Sequence, residues 1–165
     1  MSSGFKSLVR RFKISLGDVD TTLSSRELVT IGVYSEAGNR IVLVEHSPND
    51  SRTEGQGWGR KHVLVEDKDP HVIYIPETLA GHYIAACLRK VVMNRYDYHG
   101  DDGVLWTINE FLELNAPLAL AEVSVAARST SIKFPRWVNL REEVSGDLGY
   151  DFYQLASVPW SKRRK

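Results

Sequence analysis

Residues 94–111 read NRYDYHGDDGVLWTINEF, and the way this stretch folds decides the architecture of the chain. Apolar and polar side chains alternate through its two halves, the period of two that a half-buried strand requires. Between the halves, HGDDG supplies two glycines and two aspartates, residues that tolerate a chain reversal. RKVVMNRYDY (89–98) and GVLWTINEFL (103–112) are therefore predicted to form an antiparallel hairpin. Tyr96, Trp106 and Phe111 are expected in its packed core rather than as stacking platforms for a base.

The same alternation recurs on either side. SLVRRFKIS (7–15), RELVTIGVYS (26–35), NRIVLVEHS (39–47), GRKHVLVED (59–67) and LALAEVSVA (118–126) are predicted strands. EAGN (36–39) has the Gly and Asn of a tight hairpin turn, and PNDSRTEGQG (48–57) reads as a polar loop. Pro76 followed by ETLAGHYIAACLRKV predicts one helix of roughly four turns, because proline suits a first turn. LREEV (140–144) predicts a short helical turn, and SKRRK (161–165) a solvated basic tail after a single domain over 1–160. Seven or more strands with one sizeable helix predict a closed or strongly curved antiparallel sheet.

Composition narrows the function classes. A chain of 165 residues, 42% hydrophobic and 25% charged, has the make-up of one ordinary globular domain. Its 21 Lys and Arg are cancelled by 21 Asp and Glu, so no net field draws it to nucleic acid or to a membrane. Cys87 is alone, which excludes an internal disulfide and a cysteine-based zinc site. No apolar run reaches the length of a membrane span, and MSSGFKSLVRR lacks the apolar core of a secretion signal. A cytoplasmic protein is expected. His46, His62, His71, His82 and His99 show no metal spacing, and GQGWG (55–59) lacks the Lys and the helix of a phosphate-binding loop.

Three pieces stand in a fixed order: NRYDYHGDDGVLWTINEF, LALAEVSV (118–125) and PRWVNLREEVSGDLGYDFYQLA (135–156). In content and spacing the set resembles the CYTH family, the triphosphate-tunnel proteins that include class IV adenylate cyclases, thiamine triphosphatases and inorganic triphosphatases. The family pattern there runs K-x-R-Y, W-x-I-D-x-F, L-A-E-x-E and P-x-W-L-G-x-E-V-T-G-D. RRFKI (10–14) is similar to the end of the amino-terminal signature E-x-E-R-K-F. The resemblance implies an α+β fold, mainly an antiparallel β tunnel or barrel, with one main helix and short helical turns. It implies a packing role for Trp137 and a turn at Ser145-Gly146-Asp147.

The departures from the pattern carry the functional expectation. In the family, facing strands send paired glutamates inward to hold Mg²⁺ or Mn²⁺, while Lys and Arg grip the phosphates. Here Ser7 and Val9 stand at the first glutamates, Ser124 replaces the partner of Glu122, and Asn109 stands at the aspartate. Arg11 occupies a family Lys position, Arg95 matches the Arg of K-x-R-Y, and Met93 replaces its Lys. A tunnel that keeps cations and loses carboxylates is expected to bind an anion without activating it.

The expectation is thus a metal-independent receptor or sponge for a small phosphate-bearing ligand: a nucleotide, a nucleotide-derived signal or polyphosphate. A phage protein that sequesters a host nucleotide signal would fit such a tunnel. Arg11, Lys13, Arg60, Arg95, Glu122 and Arg141 are expected at the ligand, with no cofactor and no membrane or nucleic-acid partner. Two alternatives stay open. One is a Mg²⁺- or Mn²⁺-dependent triphosphate hydrolase or cyclase, its ion held by Glu122 and Glu143 near Asp147. The other is an interaction module whose tunnel is vestigial.

Overall fold

The computed structural model describes residues 8–19, 23–36, 40–46, 62–66, 69–73 and 77–163. Among these residues eight strands form one antiparallel sheet: β1 (Leu8–Lys13), β2 (Ser24–Glu36), β3 (Arg40–His46), β4 (His62–Glu66), β5 (Asp69–Ile73), β6 (Arg89–His99), β7 (Leu105–Phe111) and β8 (Ala119–Val125). Their order across the sheet is β1-β8-β7-β6-β2-β3-β4-β5. The opening stretch is the β6–β7 hairpin, paired from Met93 opposite Phe111 to His99 opposite Leu105. Its turn is closed by Gly100 N–H donating to Val104 O at 2.9 Å, and Gly103 takes a φ of 77°, where a side chain would be strained. β2 and β3 make the second expected hairpin, out to Glu36 opposite Arg40.

Of the closed or strongly curved sheet expected, closure into a barrel is not found. Among the described residues the sheet is open, with β1 and β5 at its two ends. The carboxyl-terminal segment meets the outer edge of β1 instead. Arg11 N–H donates to Ser145 Oγ (2.9 Å), Val144 N–H donates to Arg11 O (2.8 Å), and Phe12 bridges Glu143. Backbone groups satisfied in this way are not available to a further strand.

Smaller differences have local causes. Helix α1 (Glu77–Ala86) is shorter than expected, because Arg89 already begins β6 and the β-branched Val91 and Val92 suit a sheet. Pro70 hides β5 from a strand reading, since proline is tolerated only at an edge, which is where β5 lies. A second helix, α2 (Phe152–Ser157), was not expected. LREEV does give a helical turn, at Leu140–Glu142, begun by Asn139 Oδ1 accepting Arg141 N–H at 3.0 Å. Within the basic tail, Ser161 and Lys162 are exposed and Arg163 is half-buried. That guanidinium lies over the rings of Tyr150 and Trp160 and donates to the Gly149 and Val158 carbonyls. The loop expected at 48–57 lies outside the described residues.

Alternation gives the sheet two packed faces. On one, Phe12, Trp106, Ile108, Ala121 and Val123 pack against Trp137 and Val138. Trp106 meets Trp137 nearly edge-on at 6.1 Å, a favourable arrangement for indole rings. On the other, Val29, Ile31, Val91, Met93, Phe111 and Leu120 pack beneath Leu155 of α2. Buried Asn115 ties the carboxyl-terminal segment down: its Nδ2 donates to Leu155 O (3.3 Å) and its Oδ1 accepts Trp160 N–H (2.9 Å). No described helix is long and apolar enough to cross a membrane.

Gly32 of β2 is where the chain after α1 comes close to the sheet. A Cβ there would lie 2.7 Å from Cys87 Sγ and 3.0 Å from Ile84 Cδ1. Gly32→Ala should therefore destabilise the protein by about 1–3 kcal/mol in denaturant titrations, the usual cost of overpacking. A neutral substitution would contradict this packing.

Candidate functional site

Residues of equal parity share a sheet face, so the strand register alone assembles a polar field. Arg11 lies opposite Glu122, Glu122 opposite Thr107, and Thr107 opposite Asp97. The next row on the same face runs Lys13, Leu120, Asn109, Arg95 and Glu27. One step further the face turns apolar, with Phe111, Met93 and Val29 in the core under α2. Arg11, Arg95 and Glu122, far apart in sequence, are thus brought to one surface by β1, β6 and β8.

The cations of β1 are tied to carboxylates. Arg11 Nε donates to Glu122 Oε1 at 2.6 Å, while Nη1 donates to Asp151 Oδ1 at 3.1 Å and to Tyr150 O at 3.4 Å. The Arg11 and Glu122 side chains are each only 19% exposed, so water screens this pair weakly. Lys13 Nζ reaches Glu142 at 2.6 Å, and that hydrogen bond raises its pKa. The Lys13 contact lies in a cleft of about 370 Å³ that Trp137, Asn139 and Trp160 also line. The cationic lumen expected from the sequence is, among the described residues, a field in which each β1 cation is matched by a carboxylate.

Arg95 also has a neutral partner. Its Nε donates to Asn109 Oδ1 at 3.1 Å, beneath it in the sheet. A guanidinium has only donors, so the amide oxygen must face it. Asn109 is 1% exposed, and its Nδ2 has no hydrogen-bond partner among the described residues. The neighbouring Glu110 does not substitute for the aspartate that the resemblance implies at 109. It faces the opposite side, where its Oε2 accepts from Asn94 Nδ2 and Tyr96 OH, both at 2.8 Å.

The remaining expected residues are dispersed. Glu143 binds Arg10 through both oxygens, at 3.0 and 2.7 Å, and the Arg10 guanidinium lies over the Phe12 and Phe134 rings on the aromatic face. Glu122 and Glu143 therefore serve arginines on opposite faces of β1. Asp147 Oδ1 accepts Gly149 N–H at 2.9 Å in a local turn. Arg141 is exposed on its helical turn, and Arg60 lies outside the described residues. Among the described residues no three His, Cys, Asp or Glu side chains are grouped to hold a metal. A divalent ion usually needs several oxygen donors converging on one point. The described donor set alone does not fit Mg²⁺ or Mn²⁺.

Several members of the field escaped the sequence reading. Asp97 stands two residues from Arg95 on the same strand, and Thr107 two from Asn109, so period-two counting from those residues would have found both. Glu27 emerges only from the β2–β6 register. Asp151 follows a turn, and no periodicity points to it.

With this geometry in place, the fold can be compared with known ones. The crystal structure of the inorganic triphosphatase NE1496 matches with a TM-score of 0.67 at 21% identity, over 90% of this chain and 96% of that one. A second crystal structure, described as the hypothetical protein NE1496, gives a TM-score of 0.67 at 21% identity over 91% and 97%. The chain thus shares the fold of these structures, the fold its motifs imply, and among the described residues the sheet is open. No protein-family model and no curated protein matches it.

The Arg10–Glu143 pair has a pH signature. The hydrogen bonds from Arg10, with a further one from Ser145, hold the Glu143 carboxyl below the usual carboxylate range. A lowered folded-state pKa contributes stability above the unfolded value of about 4.3 and loses it as pH falls through the folded value. Glu143→Gln should lower the melting temperature at pH 7 by about 2–4 °C, the effect of ~1 kcal/mol in a domain of this size. The deficit should shrink as the pH is taken below that range. An equal deficit at every pH would contradict the assignment.

Proposed function

We propose that the chain binds a small phosphate-bearing ligand, a nucleotide or an inorganic polyphosphate, on the polar face of its sheet and sequesters it without turnover or metal. The observation that carries this reading is the convergence of Arg11 and Arg95 on one face, with Thr107 and Asn109 of β7 between them. Guanidinium groups bind phosphate oxygens through paired, charge-assisted hydrogen bonds. The glutamate and aspartate of the two family motifs are Ser124 and Asn109 here, and the described carboxylates nearest β1 are engaged by its cations. Hydrolysis is the second reading, favoured by the fold shared with an inorganic triphosphatase. It requires an ion that the described donor set does not by itself provide.

Melting the protein with nucleoside mono-, di- and triphosphates, cyclic nucleotides and tripolyphosphate, each in EDTA and in Mg²⁺, tests the proposal. At a hundredfold excess over Kd, a ligand of the native state contributes about 2.7 kcal/mol, which moves the midpoint by several degrees. Sequestration predicts the shift in EDTA and recovery of the ligand intact. Arg95→Ala should weaken that binding by about 1.5–3 kcal/mol, the worth of a hydrogen bond to a charged group. Product formed only with Mg²⁺ would favour the hydrolase, and no shift with any compound would refute binding.

A further inference from the structure

Asn94, Asn109 and Asn115 are the buried polar side chains among the described residues. Two of them have plain structural reasons. Asn115 uses both ends of its amide to tie down the carboxyl-terminal segment, and Asn94 Nδ2 donates to Glu110. Asn109 uses one end: Oδ1 accepts Arg95 Nε at 3.1 Å, while Nδ2 has no partner among the described residues. Turning the amide over would not relieve this, because it would set an NH₂ group against a guanidinium, which has no acceptor.

The position itself asks for an apolar side chain. Asn109 is 1% exposed. Its neighbours on the same face include Phe111, two residues along the strand, and Leu120, opposite it on β8, and both belong to the core beneath α2. A β-branched residue suits a buried strand, whereas an orphaned buried donor is destabilising. A residue that breaks the local rule in this way serves something other than stability. No ligand reaches a group so deep, so the amide acts through the side chain it holds. That side chain is Arg95, half-buried on the polar face.

We propose that Asn109 is the positioning residue of the polar face: its amide oxygen fixes Arg95 at Nε, so that the guanidinium is already ordered when a phosphate arrives. A long side chain ordered in advance costs the ligand less to bind. An amide provides this support without a carboxylate that would compete with phosphate for the same donors. The orphaned Nδ2 is the stability given up for it. The inference rests on the reading of the polar face as a phosphate site.

Calorimetric titration of tripolyphosphate and of ATP, both in EDTA, into the wild type, Asn109→Val, Arg95→Ala and the double variant tests it. Asn109→Val should melt no lower than the wild type, since it removes the orphaned amide. It should bind about three- to tenfold more weakly, the effect of having to order one long side chain on binding. Made in Arg95→Ala, the same substitution should cause no further loss, a result that a general packing effect would not give. Should valine be too bulky for the site to fold, Asn109→Ala carries the same comparison. Unchanged affinity in the folded variant, or an equal loss with and without Arg95, would overturn the proposal and leave phosphate binding on the polar face standing. Failure of the wild type to bind either probe would remove that reading, and this inference with it.

Discussion

The outer edge of β1 is the constraint on which the rest of this structure depends. A free strand edge exposes a row of donors and acceptors that must go somewhere. Here they go to residues 143–145, through Val144 N–H on Arg11 O and Ser145 Oγ on Arg11 N–H. Side chains then reinforce the seam: Arg10 with Glu143, Arg11 with Asp151, and Lys13 with Glu142. A segment docked this way places Trp137 in one core and α2 over the other. The same contact that finishes the sheet therefore decides which charges line its polar face.

This coupling ties stability to the proposed binding. The Arg11 guanidinium that could hold a phosphate is already held by Glu122 and Asp151. An incoming anion has to exchange with those carboxylates rather than simply add to them, and the exchange is favourable only if it offers better-placed oxygens. Arg95, for its part, donates to the neutral amide of Asn109 opposite it in the sheet. An amide at this position supports an arginine without adding negative charge to the face, whereas an aspartate would do both.

Much of this was legible in the sequence, for a physical reason. Alternation is a local property, so β1, β6, β7 and β8 could be read from residues such as Phe12, Tyr96, Trp106 and Val123, whose parity matches their burial. The shared face of Arg11, Arg95 and Glu122 follows from the same rule once the motifs set the register. Long-range choices were not legible. Nothing local in SGD says that Ser145 will satisfy the edge of β1, so the sequence left closure and strong curvature as alternatives. Glu143 looked like a neighbour of Glu122, yet Arg10 draws it to the aromatic face, because adjacent residues on a strand point to opposite sides. Asp151 has no periodic signature, and its role appears only when α2 is docked.

Whether the carboxylates of the polar face are counter-ions of its arginines or ligands of a metal is the question on which the account turns. Titrating tripolyphosphate calorimetrically into the wild type and into Asp151→Asn, with Mg²⁺ and with EDTA, addresses it directly. If Asp151 merely competes for Arg11, the variant should bind more tightly, by roughly the 0.2–1 kcal/mol typical of a half-exposed ion pair, equally in both conditions. Weaker binding by Asp151→Asn, seen only with Mg²⁺, would show that the carboxylate serves a metal and would contradict the account.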